Sequence, residues 1–217
     1  MQLALQYSSW AIGLWLNVLV ISALARGSYR EYPFVFGYSL TLLLSTLMEI
    51  GLQFSSKSVQ HIYYWFDEIM LDLLVFCVVI AFIDEASQHS KQRTIPRRWL
   101  ILISALIFAV SFLMHQHYSL NRRMTLVSRD LNICAVILDL MLWTLLMTAR
   151  RPDRALLLLS GGLGLQLTGA IMGEQLRHFS HSLFWTGTLL EVTTGFLGLY
   201  IWWRALRATR VIQTQTA

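Results

Sequence analysis

A chain of 217 residues could hold one or two soluble domains, but 56% of these residues are hydrophobic and only 13% are charged, a balance far from that of soluble proteins. The apolar residues fall in long blocks with short connections, which leaves no room for a soluble domain between them. The formal charge of +5 is spread in a way that points to a membrane and not to nucleic acid.

A bilayer core about 30 Å thick takes about 20 apolar residues in a helix. Seven segments approach that length: Tyr7 to Ala25, Pro33 to Phe54, Tyr63 to Ile83, Trp99 to Met114, Thr125 to Thr148, Ala155 to Leu176 and Leu183 to Trp203. The expected fold is all-α, a single seven-transmembrane-helix bundle over residues 1–217. Ala23-Leu24-Ala25 has the form of a signal-peptidase site, yet no basic residue precedes the apolar run as a signal peptide requires, so that run reads as the first span. Trp10, Trp65, Trp99, Trp185, Trp202 and Trp203 fall near span ends, where an interfacial aromatic belt places them. Cys77 and Cys134 lie deep in spans and read as small apolar side chains.

Basic residues gather at alternate connections. One side holds Arg26, Arg30, Lys91, Arg93, Arg97, Arg98, Arg150, Arg151, Arg154, Arg204, Arg207 and Arg210, twelve of the seventeen. The other holds Lys57, Arg122, Arg123, Arg129 and Arg177. The positive-inside rule then places the C-terminus in the cytoplasm and the N-terminus outside.

The two ends of the chain share a sparse pattern at an offset of about 124 residues. Ala25-Arg26-x-x-x-Arg30 matches Ala149-Arg150-x-x-x-Arg154, Glu49 followed by Phe54-Ser55 matches Glu174 followed by Phe179-Ser180, and Tyr64-Trp65 matches Phe184-Trp185. Residues 7–83 and 125–203 then form parallel repeats, with span 99–114 as linker. Recurring inner-loop arginines and interfacial aromatics are the plainer explanation, which the paired Glu and Phe-Ser resist.

Small sugar transporters and PQ-loop proteins share a 3+1+3 plan, but the latter carry Pro-Gln inside spans, whereas Pro33, Pro96 and Pro152 lie at span ends. Rhodopsins need a Schiff-base lysine in the last span; Lys57 and Lys91 both lie in connections, which excludes a retinal cofactor. Through Tyr32-Pro33-Phe34, Tyr63-Tyr64-Trp65 with Glu68, and Gly161-Gly162-Leu163-Gly164, the chain resembles an uncharacterised group of small bacterial seven-span membrane proteins. The resemblance implies a fold and no activity.

Charged side chains at membrane depth cost about 2.5–3.5 kcal/mol each on insertion scales, so they face the bundle interior and find partners. Glu49, Asp67, Glu68, Asp72, Asp130, Asp139, Glu174 and Glu191 all fall within expected spans. Counting from the cytoplasmic span ends places Asp72, Asp139 and Glu191 at one level near the midplane. Glu68 and Asp72 share a helix face, and Arg129, Asn132, Asp139 and Trp143 share a stripe. Gly187, Glu191, Thr194, Gly195 and Gly198 form a narrow polar stripe, and Gly169-x-x-x-Gly173 permits close helix contact.

These residues predict an outward-facing acidic pocket for a small polar or cationic ligand, with Glu49, Glu68, Asp72, Arg129, Asn132, Asp139, Glu174 and Glu191 as its site. The alternative is a structural network of neutral carboxyls and hydroxyls tying helices together. Five histidines, His61, His115, His117, His178 and His181, lie near the outer face. His115, His117, His178 and His181 have ligand types that suit zinc or copper, at spacings of no established motif. Enzyme signatures such as Gly-x-Ser-x-Gly or His-Glu-x-x-His do not occur, although Asp72 and Asp139 are a pair that an aspartyl mechanism could use. A sensor or receptor passing its signal to a cytoplasmic or membrane protein partner is the leading expectation. A proton- or cation-coupled transporter using Asp72, Asp139 and Glu191, or a structural subunit of a membrane complex, are the rivals.

Overall fold

The computed structural model describes residues 2–29, 31–53, 57–88, 97–117, 120–148, 153–180 and 183–215. Arg30, Phe54, Ser55, Lys91, Arg93, Pro96, Ala149, Arg150, Arg151, Pro152 and His181, named above, lie outside them. The described residues are helical, with no strand: α1 (Gln2–Ala23), α2 (Pro33–Leu52), α3 (Lys57–Gln88), α4 (Arg97–Met114), α5 (Leu120–Thr148), α6 (Arg154–Phe179) and α7 (Phe184–Gln215). A π-helical turn, Leu24–Ser28, extends α1, closed by the Tyr29 N–H donating to the Leu24 carbonyl at 2.9 Å.

Local chemistry explains two of the starts. Pro33 opens α2, where its missing N–H costs nothing and its fixed φ suits the helix. Asp153 caps α6, its Oδ1 accepting from the N–H groups of Ala155 at 2.8 Å and Leu156 at 3.4 Å, so two otherwise orphaned donors are satisfied.

Four stretches are long and apolar enough to cross a membrane: Tyr7–Arg26, Pro33–Leu52, Arg123–Met147 and Arg154–Arg177. Large apolar side chains point outward from the middle of the helices, among them Trp15, Leu44, Leu73, Leu106, Leu140 and Met141. Hydrocarbon surroundings suit such a mantle, whereas water would leave an apolar patch much larger than soluble monomers carry.

Six helices close a ring. α1 packs on α2 and α7, α3 on α2 and α5, and α6 on α5 and α7, while α3 and α6 also touch across the middle. α4 packs on α3 and α5, outside the ring. At the end of the bundle where α1 and α5 finish and α2 and α6 begin, the ring is filled. Val20, Leu24, Val35, Val79, Leu159, Leu163, Trp202 and Leu206 are each at most 1% exposed there. Tyr38 meets Trp202 edge to face at 5.7 Å, and the Trp202 indole N–H donates to the Leu159 carbonyl at 2.7 Å.

Glycines set the α6–α7 contact. A Cβ on Gly162 would come within 2.6 Å of the Trp202 ring, one on Gly173 within 2.7 Å of the Gly187 carbonyl, and one on Gly198 within 2.6 Å of the Gly162 carbonyl. Gly169 faces Thr194 so closely that a Cβ would overlap its hydroxyl. Removing side chains lets the two backbones meet, the small-residue packing used between helices where no hydrophobic drive exists.

Candidate functional site

Toward the opposite end, the ring holds a cavity of about 490 Å³ to which all six of its helices contribute. α1 supplies Ser9, Trp10, Gly13 and Asn17; α2 supplies Tyr38, Leu42 and Thr46; α3 supplies Tyr64, Asp67, Glu68, Leu71, Asp72 and Val75. Ser128 and Asn132 of α5, Gln166, Leu167 and Ala170 of α6, and Glu191, Val192, Gly195, Phe196 and Leu199 of α7 complete the wall. Its volume falls in the range of about 300–1,000 Å³ typical of small-molecule sites.

The cavity has two tiers. Glu68 and Asp72 are four residues apart on α3, one helical turn or about 6 Å. At the deeper tier Asp72, only 7% exposed, accepts a hydrogen bond from the Ser128 hydroxyl at 2.6 Å. At the outer tier Tyr64 lies within electrostatic reach of Glu68, Glu174, Arg177 and Glu191. Arg177 donates to Glu191 as an ion pair. Asp67 is satisfied from α2, where the Ser45 hydroxyl donates to it, and the Tyr63 hydroxyl stands 3.5 Å from its other oxygen. Among the described residues no basic side chain pairs with Glu68 or Asp72, so the cavity holds carboxyl groups without a protein cation.

Two amides add to this. Asn17 is 2% exposed and its Oδ1 has no hydrogen-bond partner, and neither has the Gln166 Nε2. Both side chains line the cavity. Gln166 reaches α7 over Gly198, where a Cβ would stand 2.4 Å from its Cγ. Buried polar groups are seldom left unpaired, and those that are call for an unseen water, ion or ligand.

Of the residues expected to form the site, Glu68, Asp72, Asn132 and Glu191 line the cavity. Glu174 is not part of the lining but is close enough to act electrostatically on Glu68 and Asp72. Glu49 is exposed on α2 beside Trp10. Arg129 faces Asp130 at 3.9 Å and is not part of the lining. Asp139 is 3% exposed and packs where a Cβ on Gly164 of α6 would stand, with its Oδ1 unpaired. The Ser128–Asp72 bond explains its separation from the cavity. That bond fixes the register of α5 against α3, and Asp139 lies eleven residues beyond Ser128, about 16 Å along the helix. The level expected for Asp72, Asp139 and Glu191 together is therefore not a common one, and Asp72 and Asp139 occupy different environments.

Ser128, Asn17, Gln166 and the aromatic residues Trp10, Tyr38, Tyr64 and Phe196 escaped a search built on charge. Lone amides in apolar runs carry the same signal as acids, since an unpaired amide in hydrocarbon is also costly. Of the four histidines considered for a metal, the His115 Nδ1 contacts the Ser111 carbonyl at 2.8 Å and lies 3.8 Å from Asp130. His117 is exposed, and the side chain of His178 and all of His181 lie outside the described residues. Among the described residues no group of three or more His, Cys, Asp or Glu is arranged to hold a metal ion. Asp130 instead ties α4 to α5, accepting from the Ser111 hydroxyl at 2.7 Å.

No protein-family model, no curated protein and no solved structure matches this chain.

Proposed function

We propose that the chain is a seven-span protein of the bacterial inner membrane, N-terminus outside, that binds a small cationic ligand in an outward-facing acidic cavity and acts as a sensor or receptor. The observation that carries this reading is the cavity of about 490 Å³ lined by Glu68 and Asp72, carboxyl groups with no basic partner among the described residues. Ionisable groups at membrane depth are by default functional. α3, α4 and α7, the three helices beyond the four apolar stretches given above, measure 32, 18 and 32 residues, about 27 Å or more at 1.5 Å per residue. That length supports seven crossings, and the basic residues at alternate connections support the orientation.

The test is a thermal-shift and calorimetric titration of the purified protein with inorganic and organic cations. Binding that is lost in Asp72→Asn and retained in Asp139→Asn, which lies outside the cavity, supports the reading. Binding of no cation at all, or affinity untouched by Asp72→Asn, sinks it.

A second reading, a cation-coupled transporter, is favoured by the ring itself. Exchanging α1 with α5, α2 with α6 and α3 with α7 turns every neighbour pair of the ring into another neighbour pair of the ring. That is the relation two parallel three-helix repeats about a shared cavity would have. Saturable uptake into liposomes, abolished by Asp72→Asn, would select transport; binding without uptake would select sensing.

A further inference from the structure

The cation-binding reading leaves open what kind of cation the cavity takes, and the unpaired amides narrow the choice. Resting on that reading, we propose that the ligand is an organic amine bearing N–H groups and a neutral hydrogen-bond acceptor, held between Asp72, Asn17 and Gln166.

Asn17 presents an oxygen acceptor without a donor, and Asp72 lines the same cavity with a carboxyl group engaged by the neutral side chains of Ser128 and Asn132 and by no basic side chain among the described residues. A protonated amine supplies both needs at once, its charge to Asp72 and an N–H to Asn17, and hydrogen bonds to charged groups are the stronger kind. Gln166 presents the opposite vacancy, an N–H donor without an acceptor. A hydroxyl or carbonyl on the ligand fills it, whereas a ligand carboxylate would be repelled by Glu68 and Glu191 at the outer tier.

An inorganic ion suits the lining less well. Hard cations such as Ca²⁺ take about six to eight oxygen ligands, while much of this wall is apolar, including Leu71, Val75, Leu167, Val192, Phe196 and Leu199. Such a wall matches a carbon skeleton. Trp10, Tyr38, Tyr64 and Phe196 add aromatic rings that attract an ammonium group or stack on a ring.

The experiment compares three probes sharing one skeleton: 2-amino-1-phenylethanol, its N,N,N-trimethyl derivative, and 2-phenylethylamine. The trimethyl compound keeps the charge but has no N–H, and phenylethylamine keeps the amine but lacks the hydroxyl. Calorimetry on the full-length protein in detergent should show the amino alcohol binding at least ten-fold more tightly than the trimethyl compound. Asn17→Leu should collapse that preference while leaving trimethyl binding within about two-fold, since charge recognition by Asp72 is intact. Gln166→Leu should remove the advantage of the amino alcohol over phenylethylamine. Asn17→Ser serves if the leucine variant does not purify as a folded protein, and the wild-type comparison needs no variant.

Equal wild-type affinities for the amine and its trimethyl form overturn the inference and leave cation binding standing. A preference that survives the Asn17 substitutions also overturns it. Failure of all three probes and of inorganic cations to bind overturns the inference together with the reading it rests on, whereas inorganic cations alone binding, with loss in Asp72→Asn, overturns only the inference.

Discussion

The Ser128 hydroxyl of α5 donates to the Asp72 carboxyl of α3 at 2.6 Å, one buried hydrogen bond joining residues 56 positions apart in the chain. It ties α3 to α5 at the deeper tier of the cavity. Ser128→Ala removes the donor and leaves the acceptor facing a cavity that water can enter. The expected loss is about 1 kcal/mol of stability, the typical net worth of such a bond and near the interhelical values known in membranes. Thermal unfolding in detergent measures it, and an unchanged midpoint would mean that the bond contributes nothing to holding the halves together.

The α6–α7 seam predicts a larger effect. Gly169→Ala places a methyl group on the Thr194 hydroxyl, which itself donates to the Leu190 carbonyl at 2.8 Å. Overpacking of this kind costs about 1–3 kcal/mol. Adding Thr194→Gly should restore part of the loss, because it empties the space the methyl enters. If the double variant is no more stable than Gly169→Ala alone, the contact is not the cause.

The connection between α1 and α2 predicts a pH dependence. Partial burial raises the Glu31 carboxyl pKa above its ordinary 4.5, and the charges of Asp153 and Glu85 raise it further against a hydrogen bond from Tyr32. The Tyr32 hydroxyl is itself pushed up by burial and by the charges of Asp153, Glu31 and Glu85. A carboxyl whose folded pKa is raised binds its proton more tightly in the folded state. Its ionisation therefore opposes folding, with no penalty below about 4.5 and a growing one as pH rises through the folded value. Glu31→Gln should stabilise the protein near neutral pH and lose that advantage below about pH 4.5. Melting temperatures of both proteins across pH 4 to 8 check the sign, and a gain that persists at the acid end would refute the assignment.

At the outer tier Arg177 occupies Glu191. Arg177→Gln removes a positive charge paired with a lining residue and should tighten binding of any cation there by about three- to ten-fold, the scale of one charge at several ångströms in a partly wet site. Glu191→Gln should weaken it by a similar factor. Isothermal titration at low and high salt distinguishes this from a change of shape, because only the electrostatic part is screened. An Arg177→Gln variant that binds more weakly would show instead that the ion pair shapes the site.

Much of the fold was readable in the sequence because helix length, apolar content and caps are local properties. Pro33 marks the start of α2, and Gly169-x-x-x-Gly173 announced a close helix contact that the structure places against Gly187 and Thr194. Helix ends outside the apolar runs were less visible: α3 runs from Lys57 to Gln88 and α7 to Gln215, since polar residues extend a helix as readily as apolar ones once it leaves a bilayer. The site was legible as a set of acids and not as an arrangement. Spacing correctly placed Glu68 above Asp72 on one face. It could not set the slide of α5 along α3, which Ser128 decides and which carries Asp139 away to Gly164. Asn17 and Gln166 were passed over because they bear no charge, though their unpaired atoms say most about a ligand.

If the chain is two like-directed halves of three spans each, the place of α4 outside the ring answers a problem of parity. Three passes of a chain always end on the side opposite the start, so a second trio of like direction cannot follow the first through a short loop alone. On the two-halves reading α4 is the return stroke that brings the chain back to its starting side. Such a stroke is answerable to lipid and to its seam with α3 and α5, with Asp130 and Ser111 as the stitch. Any apolar helix that keeps that stitch should serve in its place, so the sequence of α4 is free to drift while the six cavity helices are held by one another.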